Sequence, residues 1–341
     1  MLDKGSKLLI FFIFLVCSGF IHHSKNHTYK SLFTITGQAQ GTTYTIKYIH
    51  FSPIIDTFSI QLLLSNIDQS LSLYQSTSRI SQFNATQRSI LVDPHLLKVV
   101  QTSLSVSAAT DGCFDITSKP ISTLWGFNAP LPNSIPSPKL LLETMRYVGF
   151  NHLSLRQDSL IKDNPNTQID CDGIAQGYTV DQLSLFLQSN GITDYMVELG
   201  GEVYASGKNL SGKDWVIGIE GPEVYTGDEH FIAKKISLSA KAVTTSGSMK
   251  KFRKLGNRYW SHVIDPRTGS PVDNGIVSVT VIAKDAITAD AYDNGFMVMG
   301  VKKAFSMASS IKDMGLYIVY ANKDGSLKDS SNLSFKRFLL N

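Results

Sequence analysis

An aspartate and an asparagine stand four positions apart in residues 289–296, and each side chain carries an oxygen that can bind a metal ion. Because residues four apart share one face of a helix, Asp290 and Asn294 are expected to converge on one point. Apolar residues on both sides predict that the pair lies inside a packed structure. Oxygen ligands favour a hard cation such as Mg²⁺ over zinc. The alternative is a solvated helix N-terminus, where acidic side chains offset the helix dipole.

A second segment, residues 170–178, combines Asp170 and Asp172 with Gly173 and Gly177. Glycine allows a ligand to approach the backbone, and a helix that begins near Ile174 would offer free N–H groups to an anion. We therefore expect this segment to join a strand to a helix at a binding site.

Three further segments are polar in an apolar setting: residues 111–117, the hydroxyl-rich residues 244–247, and residues 261–269. We expect residues 244–247 to form a turn that binds phosphate. We expect His262 to lie in a strand just before a turn that contains Pro266. A histidine changes protonation near neutral pH and can accept a proton from an incoming hydroxyl. Each segment alone is equally typical of a turn, a cap or a core histidine.

Composition limits the possible classes of protein. The chain has 341 residues, of which 43% are hydrophobic, so it can bury a large core as one domain or two joined ones. Its formal net charge is only +4 and its basic residues are dispersed, apart from a short run at residues 250–254, which argues against nucleic-acid binding. Three cysteines do not make a disulfide framework, and we expect Cys113 and Cys171 to be small buried residues.

The N-terminus has the pattern of an export signal. Lys4 and Lys7 precede the apolar residues 8–16, a run that is short for a membrane-spanning helix. Cys17 stands where a lipid-accepting cysteine would, after an imperfect lipobox at residues 14–16. A lipid anchor and an uncleaved membrane anchor both remain open. We expect residues 1–32 to be signal or anchor plus linker, and residues 33–341 to form a single domain.

Hydrophobic periodicity predicts an α+β fold in which antiparallel or mixed sheets are packed by helices. Helices are expected near residues 60–73, 94–110, 139–148, 174–188 and 289–309. Strands are expected at residues 43–48, 194–197, 203–205, 215–219, 235–239, 260–264, 276–283 and 315–321.

Taken together and in order, the motifs resemble the ApbE family of FAD:protein FMN transferases. The resemblance rests on Asp-Gly-Ile-Ala-Gln-Gly-Tyr at 172–178, Ser-His-Val-Ile-Asp-Pro-Arg-Thr-Gly at 261–269 and Ala-Asp-Ala at 289–291. Gly-Thr-Thr-Tyr at 41–44, Ser-Gln-Phe-Asn at 81–84 and Leu-Gly-Gly-Glu at 199–202 extend it over most of the chain. It implies an ApbE-like, T-fold-related architecture with a FAD cleft between two subdomains.

The resemblance also implies a reaction and its residues. Such enzymes use Mg²⁺ to transfer FMN from FAD to a threonine or serine hydroxyl of a partner protein, with release of AMP. The family suggests subunits of membrane redox complexes as partners, and together with the export signal this predicts a location on the periplasmic side of the bacterial inner membrane. The family pattern assigns catalysis to His262 and Asp290, and metal binding to Asp290, Asn294 and a backbone oxygen of Ala175. It assigns contacts with the flavin nucleotide to Gln40, Tyr74, Cys113, Phe114, Asp115, Thr117, Asp172, Tyr178 and Ile264.

Three positions depart from the family pattern. Asn294 replaces a usual threonine, Gln176 a common lysine, and Gln40 a frequent methionine. The sequence leaves two alternatives to FMN transfer: a FAD diphosphatase that releases FMN and AMP, and an exported flavin-binding protein without catalysis. It has no nucleophile elbow, zinc-ligand spacing or Rossmann glycine fingerprint.

Overall fold

The computed structural model describes residues 29–127, 135–221, 231–247, 252–255, 258–322 and 324–340. Its strands are β1 (Ser31–Ala39), β2 (Thr42–His50), β3 (Ser89–Leu91), β4 (Leu153–Arg156), β5 (Ser159–Lys162), β6 (Tyr195–Leu199), β7 (Glu202–Ser206), β8 (Trp215–Glu220), β9 (Ile232–Leu238), β10 (Lys241–Gly247), β11 (Phe252–Leu255), β12 (Arg258–Ser261), β13 (Ile264–Asp265), β14 (Ser270–Pro271), β15 (Ile276–Ala283), β16 (Gly315–Ala321) and β17 (Leu327–Ser331). Its α-helices are α1 (Thr57–Leu71), α2 (Arg79–Ala85), α3 (Pro94–Ala109), α4 (Lys119–Leu124), α5 (Pro138–Met145), α6 (Ala175–Ser189), α7 (Ala286–Met299), α8 (Val301–Ser310) and α9 (Leu333–Lys336).

A large antiparallel sheet organises the fold, in the order β1-β2-β6-β7-β10-β15-β16-β17. The predicted α+β class is confirmed, and every strand pair in the described residues is antiparallel. Almost all side chains of β15 are buried, because both faces of this central strand are covered.

Each face of this sheet has its own core. On one face α1, α6, α7 and α8 pack over the strands, with Ile46, Tyr195 and Phe296 among the fully buried side chains. The β8–β9 hairpin and α9 cover the opposite face, where Ile236 and Phe335 are fully buried. Helices α6 and α7 are therefore held against the middle of the sheet.

A second region packs on the far side of α6 and α7. It consists of α1 to α3 and the small sheet β3-β5-β4, and its core includes Phe83, Leu96 and Leu160. Ile174, Tyr178, Ile287 and Ala291 from α6 and α7 and their N-terminal ends belong to this same core. The two helices thus form the boundary between the two halves of the fold, which is where the predicted functional residues are concentrated.

Several predicted element boundaries were wrong. Strand β1 begins at Ser31, so the linker predicted through residue 32 is too long. Residues 244–247 are not a turn but the end of β10, because their hydroxyls alternate across a strand. The predicted strand at 260–264 is split into β12 and β13, which belong to different small sheets. His262 lies in the bend between them, not in a strand.

Two further corrections concern helices. The predicted helix over 289–309 is two helices, because Gly300 has a positive φ of 86° that ends α7 and starts α8. No strand directly precedes residues 170–178 in the described structure, since β5 ends at Lys162 and a loop follows. The remaining predicted helices and strands are present with shifts of a few residues at their ends.

Candidate functional site

Asp290 is positioned by the close antiparallel packing of α6 and α7. The backbone N–H of Gly177 donates to Asp290 Oδ2 at 2.9 Å. A side chain at Gly177 would overlap the Ala286 carbonyl and lie 2.7 Å from the Asp290 Cβ, so only glycine fits there. Asp181 of α6 accepts the backbone N–H groups of Ala286 and Ile287 at 2.8 and 2.9 Å, which caps the start of α7. The glycine-rich segment and the Ala-Asp-Ala segment therefore form one unit.

Asn294 lies one turn after Asp290 and directs its amide nitrogen into a ring of oxygens. Its Nδ2 lies 3.0 Å from the Asp290 carbonyl oxygen, 3.2 Å from Asp290 Oδ1, 3.0 Å from Asp293 Oδ1 and 3.3 Å from the Gly173 carbonyl oxygen. Amide orientation follows from the surrounding hydrogen bonds, and four acceptors require the nitrogen on this side. In this conformation Asn294 directs its amide nitrogen to these oxygens, and its role as a metal ligand stays a prediction.

Two acidic residues near Asp290 and Asn294 were not predicted as site residues from the sequence. Asp293 is buried and accepts the hydroxyls of Thr244 and Ser246 at 2.6 and 2.8 Å. These are the hydroxyls that we expected to bind phosphate. Glu202 is also buried, and its Oε2 has no hydrogen-bond partner among the described residues. The spacing of three between Asp290 and Asp293 was the available signal, since residues three apart also share a helix face.

Burial dominates the electrostatics of these carboxyls. It raises the pKa of Asp290 to about 7, against the hydrogen bond from Gly177. Burial, reinforced by the charge of Asp290, also raises the pKa of Asp293 and of Glu202 well above their ordinary values. Several buried carboxyls close together disfavour one another's ionisation, and a bound cation would reverse that effect.

The predicted ligand Ala175 is connected to Gln40 through Thr179. The Thr179 hydroxyl donates to the Ala175 carbonyl oxygen at 2.8 Å and accepts from Gln40 Nε2 at 2.8 Å. Gln40 has a positive φ of 50° in the turn between β1 and β2. This turn therefore meets the N-terminal end of α6, as the predicted roles of Gln40 and Ala175 require. The carbonyl that faces Asn294, however, belongs to Gly173.

Asp115 and Thr117, predicted to contact the flavin nucleotide, have internal partners instead. Asp115 accepts the Thr117 N–H and hydroxyl at 2.8 and 2.7 Å, and the Phe150 N–H at 2.6 Å. The Thr117 hydroxyl also accepts the Gly149 N–H at 2.7 Å. Both side chains are buried, and their bonds hold the 113–117 loop against residues 149–150. Their contact with the nucleotide stays a prediction.

The same loop borders the Asp290 helix and the histidine segment. A Cβ added at Gly295 would lie 3.2 Å from the Phe114 Cβ, and one at Gly112 would lie 3.5 Å from the Arg267 Cγ. Arg267 is itself held by Asp265 through two bonds of 2.9 and 2.8 Å. Cys113, whose side chain is buried, is a free thiol as predicted, and so is Cys171. The structure thus brings residues 112–114 and 264–269 to the site.

Tyr178 and Tyr74 occupy opposite environments. Tyr178 is buried, and its hydroxyl lies 2.6 Å from His95 Nδ1, so its side chain supports α6 and does not offer a free hydroxyl to a ligand. Tyr74 is 95% exposed in the loop between α1 and α2, where a flat aromatic ring is available to stack on a ligand. Asp172 is exposed, and its backbone N–H donates to Asp170 Oδ1 at 2.9 Å.

His262 and Ile264 lie on a segment held by a small apolar cluster. Ile264 is buried against Ile121, Trp125 and Val148. The Trp125 indole N–H donates to the Gly269 carbonyl at 2.7 Å, which fixes the turn that follows. His262 is partly exposed and lies two residues before Ile264.

The donor set around Asp290 fits a hard cation in part. Carboxylate and carbonyl oxygens of Asp290, Asp293 and Gly173 all lie within 3.3 Å of one point, which Asn294 Nδ2 occupies. Among the residues that the structure describes, no three His, Cys, Asp or Glu side chains converge as a metal site. A cation at Asp290 would therefore depend on carbonyl oxygens and on oxygens of a substrate, as is usual for Mg²⁺.

Comparison with known proteins gives a consistent result. The sequence model of the ApbE family matches residues 40–318. A FAD:protein FMN transferase of Vibrio cholerae serotype O1 is 35% identical over 312 residues, which cover 89% of this chain and 92% of that protein. One from Escherichia coli K12 is 35% identical over 289 residues, which cover 82% of this chain and 81% of that protein.

Solved structures give the same family. The flavin transferase ApbE from Vibrio cholerae superposes with a TM-score of 0.81 at 35% sequence identity, covering 91% of this chain and all of that one.

Proposed function

The chain belongs to the ApbE family, and from its relatives we propose that it is a FAD:protein FMN transferase. Its substrates are FAD and a threonine or serine hydroxyl of an acceptor protein, with Mg²⁺ as cofactor and AMP as the second product. The observation that supports this most directly is the contact of the glycine-rich segment with the Asp290 helix, through Gly177 N–H to Asp290 and Asn294 Nδ2 to the Gly173 carbonyl.

The reaction is a phosphoryl-type transfer. The acceptor hydroxyl oxygen bonds to the phosphorus of the FMN half of FAD, the bond from that phosphorus to the bridging oxygen breaks, and AMP leaves with the bridging oxygen. We propose that His262 accepts the proton of the acceptor hydroxyl, because it matches the histidine of the family motif at 261–269 and the residue is partly exposed. The helix N-terminus that the sequence predicts to bind an anion has internal partners in this conformation, because Ala175 N–H donates to the Cys171 carbonyl at 2.8 Å and Gly177 N–H donates to Asp290.

Mg²⁺, when bound, neutralises charge that develops on the diphosphate. The oxygens of Asp290 would hold it, together with a backbone carbonyl at the start of α6, either Ala175 or Gly173. For this to occur, the Asn294 amide has to turn away from the Asp290 carboxylate, or be displaced from its present hydrogen bonds. The metal is therefore expected to bind mainly together with FAD, whose phosphate oxygens supply the missing ligands.

We further propose that the protein acts on the periplasmic side of the inner membrane, with membrane redox complexes as its partners. The charged and apolar pattern of residues 4–16 supports an export signal, followed by either a lipid anchor at Cys17 or an uncleaved anchor. Residues 1–28 lie outside the described structure. Within the part it does describe, no helix has both the length and the apolar character needed to span a bilayer.

Mass spectrometry of an acceptor protein incubated with the enzyme, FAD and Mg²⁺ tests the function. A phosphoester-linked FMN on the acceptor, together with free AMP, is the expected result. Free FMN and AMP with an unmodified acceptor would instead identify a FAD diphosphatase, and unchanged FAD would identify a flavin-binding protein without catalysis.

A further inference from the structure

The antiparallel register shows which loops and strand ends lie together at each of the two opposite ends of the large sheet. At one end, Ser31 pairs with His50, Tyr48 with Tyr195, and Tyr195 with Ser206. We call this the entry end, because the described chain enters the fold there. Asp194 connects its loops: it accepts Lys30 Nζ at 3.2 Å through its side chain and the Ile49 N–H at 2.9 Å through its carbonyl. Its Oδ1 accepts the Lys208 N–H at 2.9 Å.

The functional site lies toward the other end of the same strands. The β1–β2 turn with Gln40 and the β6–β7 turn with Gly200 are both at this end, and a Cβ on Gly200 would lie 3.0 Å from Gln176 Nε2. Helix α1 runs from the entry end towards the site. It starts beside Tyr48, whose hydroxyl accepts the Ile55 N–H, and Asp68 near its end has a hydrogen bond to Gln40. Since β1 has nine residues, the two ends are roughly 25–30 Å apart, at about 3.3 Å per residue.

The entry end exposes several large apolar side chains. Phe58 is 72% exposed in the first turn of α1, and Tyr29 is 83% exposed where the described chain begins. Side chains on adjacent loops and strand ends complete the surface, which we call the entry surface: Tyr29, Leu32, Phe51, Ile54, Phe58 and Leu210. Single exposed apolar residues are ordinary, but six on neighbouring loops at one end indicate an interaction surface.

Charges around the entry surface are balanced. Lys30, Lys208 and Lys213 are countered by Asp56, Asp194 and Asp214, with Lys30–Asp194 and Lys208–Asp214 forming ion pairs. A surface of exposed aromatic and aliphatic side chains with lysines among them is typical of groups that lie in the headgroup region of a bilayer. The balance of charge indicates that attraction to anionic lipid is not what would hold it there.

We propose that the entry surface lies on a lipid bilayer, and that the site consequently faces away from the membrane at a fixed height. The sequence supplies the reason for choosing lipid over another protein: the apolar residues 8–16 lie only twelve residues before Tyr29. An anchor there would hold the entry end nearest to the membrane, because the chain joins the fold at that end. This inference rests on the proposed anchoring and adds that the folded domain itself contacts lipid.

Depth-dependent fluorescence quenching tests the contact. The full chain is reconstituted into phosphatidylcholine vesicles whose acyl chains are brominated near the headgroup, and a tryptophan is introduced as Phe58→Trp. Leu142→Trp is the matched control, because Leu142 is similarly exposed, at 70%, on α5, whose Leu141 and Met145 pack at Gly269 near the site. Fluorescence of the unsubstituted chain is subtracted from each.

We expect brominated lipid to quench the added fluorescence of Phe58→Trp and to leave that of Leu142→Trp unchanged, at low and high salt alike. Equal quenching of the two, or quenching of neither while the chain remains on the vesicles, would overturn the proposal. A second copy of the chain covering the entry surface would also give no quenching by lipid. Failure of the chain to bind vesicles would overturn the anchor as well, whereas FMN transfer is measured independently on a soluble acceptor.

Discussion

Asn294 carries the clearest difference between what residue types suggest and what the structure shows. Its amide nitrogen lies among carboxylate and carbonyl oxygens, so it hydrogen-bonds to Asp290 and Asp293 as a neutral donor. A cation at the same point would satisfy the same oxygens with a full charge. If Mg²⁺ binds as proposed, Asn294 would therefore stabilise the metal-free site and compete with the metal for its ligands.

Changing Asn294 to aspartate should reverse this balance. Asn294→Asp places a third carboxyl beside Asp290 and Asp293 and removes the N–H donor that they share, so the free energy of unfolding in EDTA should fall by about 1–3 kcal/mol. Added Mg²⁺ should then raise the melting temperature of the variant more than that of the wild type. Calorimetric melting with and without Mg²⁺ measures both effects.

Asn151→Asp is the matched control for charge, since Asn151 is exposed in the 3₁₀ turn Phe150–His152. It should respond to Mg²⁺ as the wild type does. If Asn294→Asp were as stable as the wild type in EDTA and no more responsive to Mg²⁺, the Asn294 amide would not be holding the metal-free site.

His262 is predicted to act in proton transfer and not in FAD binding. His262→Ala should lower the rate of FMN transfer by about 10²–10⁴-fold, the usual contribution of one acid–base group, with little change in FAD affinity. Single-turnover kinetics and a FAD titration separate the two. His50→Ala, a histidine at the entry end, should change neither; a collapse of FAD affinity in His262→Ala would show a binding residue.

For individual residues, the sequence predicted which segments of the chain come together. It did not predict as well which of their atoms make contact. Asp115 and Thr117 stand in a polar segment, but hydrogen bonds between them and to residues 149–150 satisfy both side chains. Such long-range partners leave no trace in local spacing. Asp293 could have been found from its spacing to Asp290, whereas the approach of Glu202 depends on how β7 packs against α7.

The packing of α6 on α7 determines where Asp290 lies. Gly177→Ala would place a methyl group against the Ala286 carbonyl and the Asp290 Cβ, so the helices must move apart. We expect a loss of about 1–3 kcal/mol in the free energy of unfolding, together with reduced transfer activity. Chemical denaturation measures the first. Gly247→Ala, where the nearest atoms lie 3.6 and 3.9 Å away, should be far milder, and an equal effect of the two would refute the packing explanation.

Asp181 makes the stability of this helix pair depend on pH. Burial raises its pKa to about 7, although two N–H groups of α7 act in the opposite direction. In the unfolded chain an aspartate ionises near pH 4, so its contribution to stability is fully present below pH 4. It is lost as the pH rises towards 7, by at most about 4 kcal/mol.

Asp181→Asn should remove that contribution and flatten the dependence. Urea denaturation at pH 4.5 and at pH 8 should show a smaller difference between the two values in Asp181→Asn than in the wild type. Asp158→Asn, at an exposed position, should retain the wild-type difference. An unchanged difference in Asp181→Asn would mean that this carboxyl is ionised in the folded protein.

Helices and strands with a clear hydrophobic period were predicted correctly from the sequence. Boundaries that are set by the backbone conformation of one residue were not predicted. Strand β15 and helix α3 match their predicted spans closely because burial sets their pattern. The break between α7 and α8 was missed, since apolar residues continue through Gly300 and only its positive φ ends the helix. The end of β10 was read as a turn because its serine and threonine hydroxyls suggested a binding loop.

For the whole molecule, the proposed membrane contact and the proposed active site lie at the two ends of one sheet. The entry end carries exposed apolar side chains, and the opposite end carries the turns and helix ends around Asp290. The antiparallel α+β class was predictable from grouped strands and helices. The order of the strands was not, because β2 pairs with β6 across more than a hundred residues of intervening chain.

Acceptor flavinylation measured by mass spectrometry as a function of Mg²⁺ concentration tests the central claim most directly. The wild type should attach FMN to the acceptor in proportion to bound Mg²⁺, and EDTA should abolish the adduct. Asp290→Asn retains an acceptor for the Gly177 N–H but loses the charge that binds the cation, so it should form no adduct at Mg²⁺ concentrations that saturate the wild type. An adduct that forms in Asp290→Asn with the same Mg²⁺ dependence would contradict the assignment of both the site and its metal.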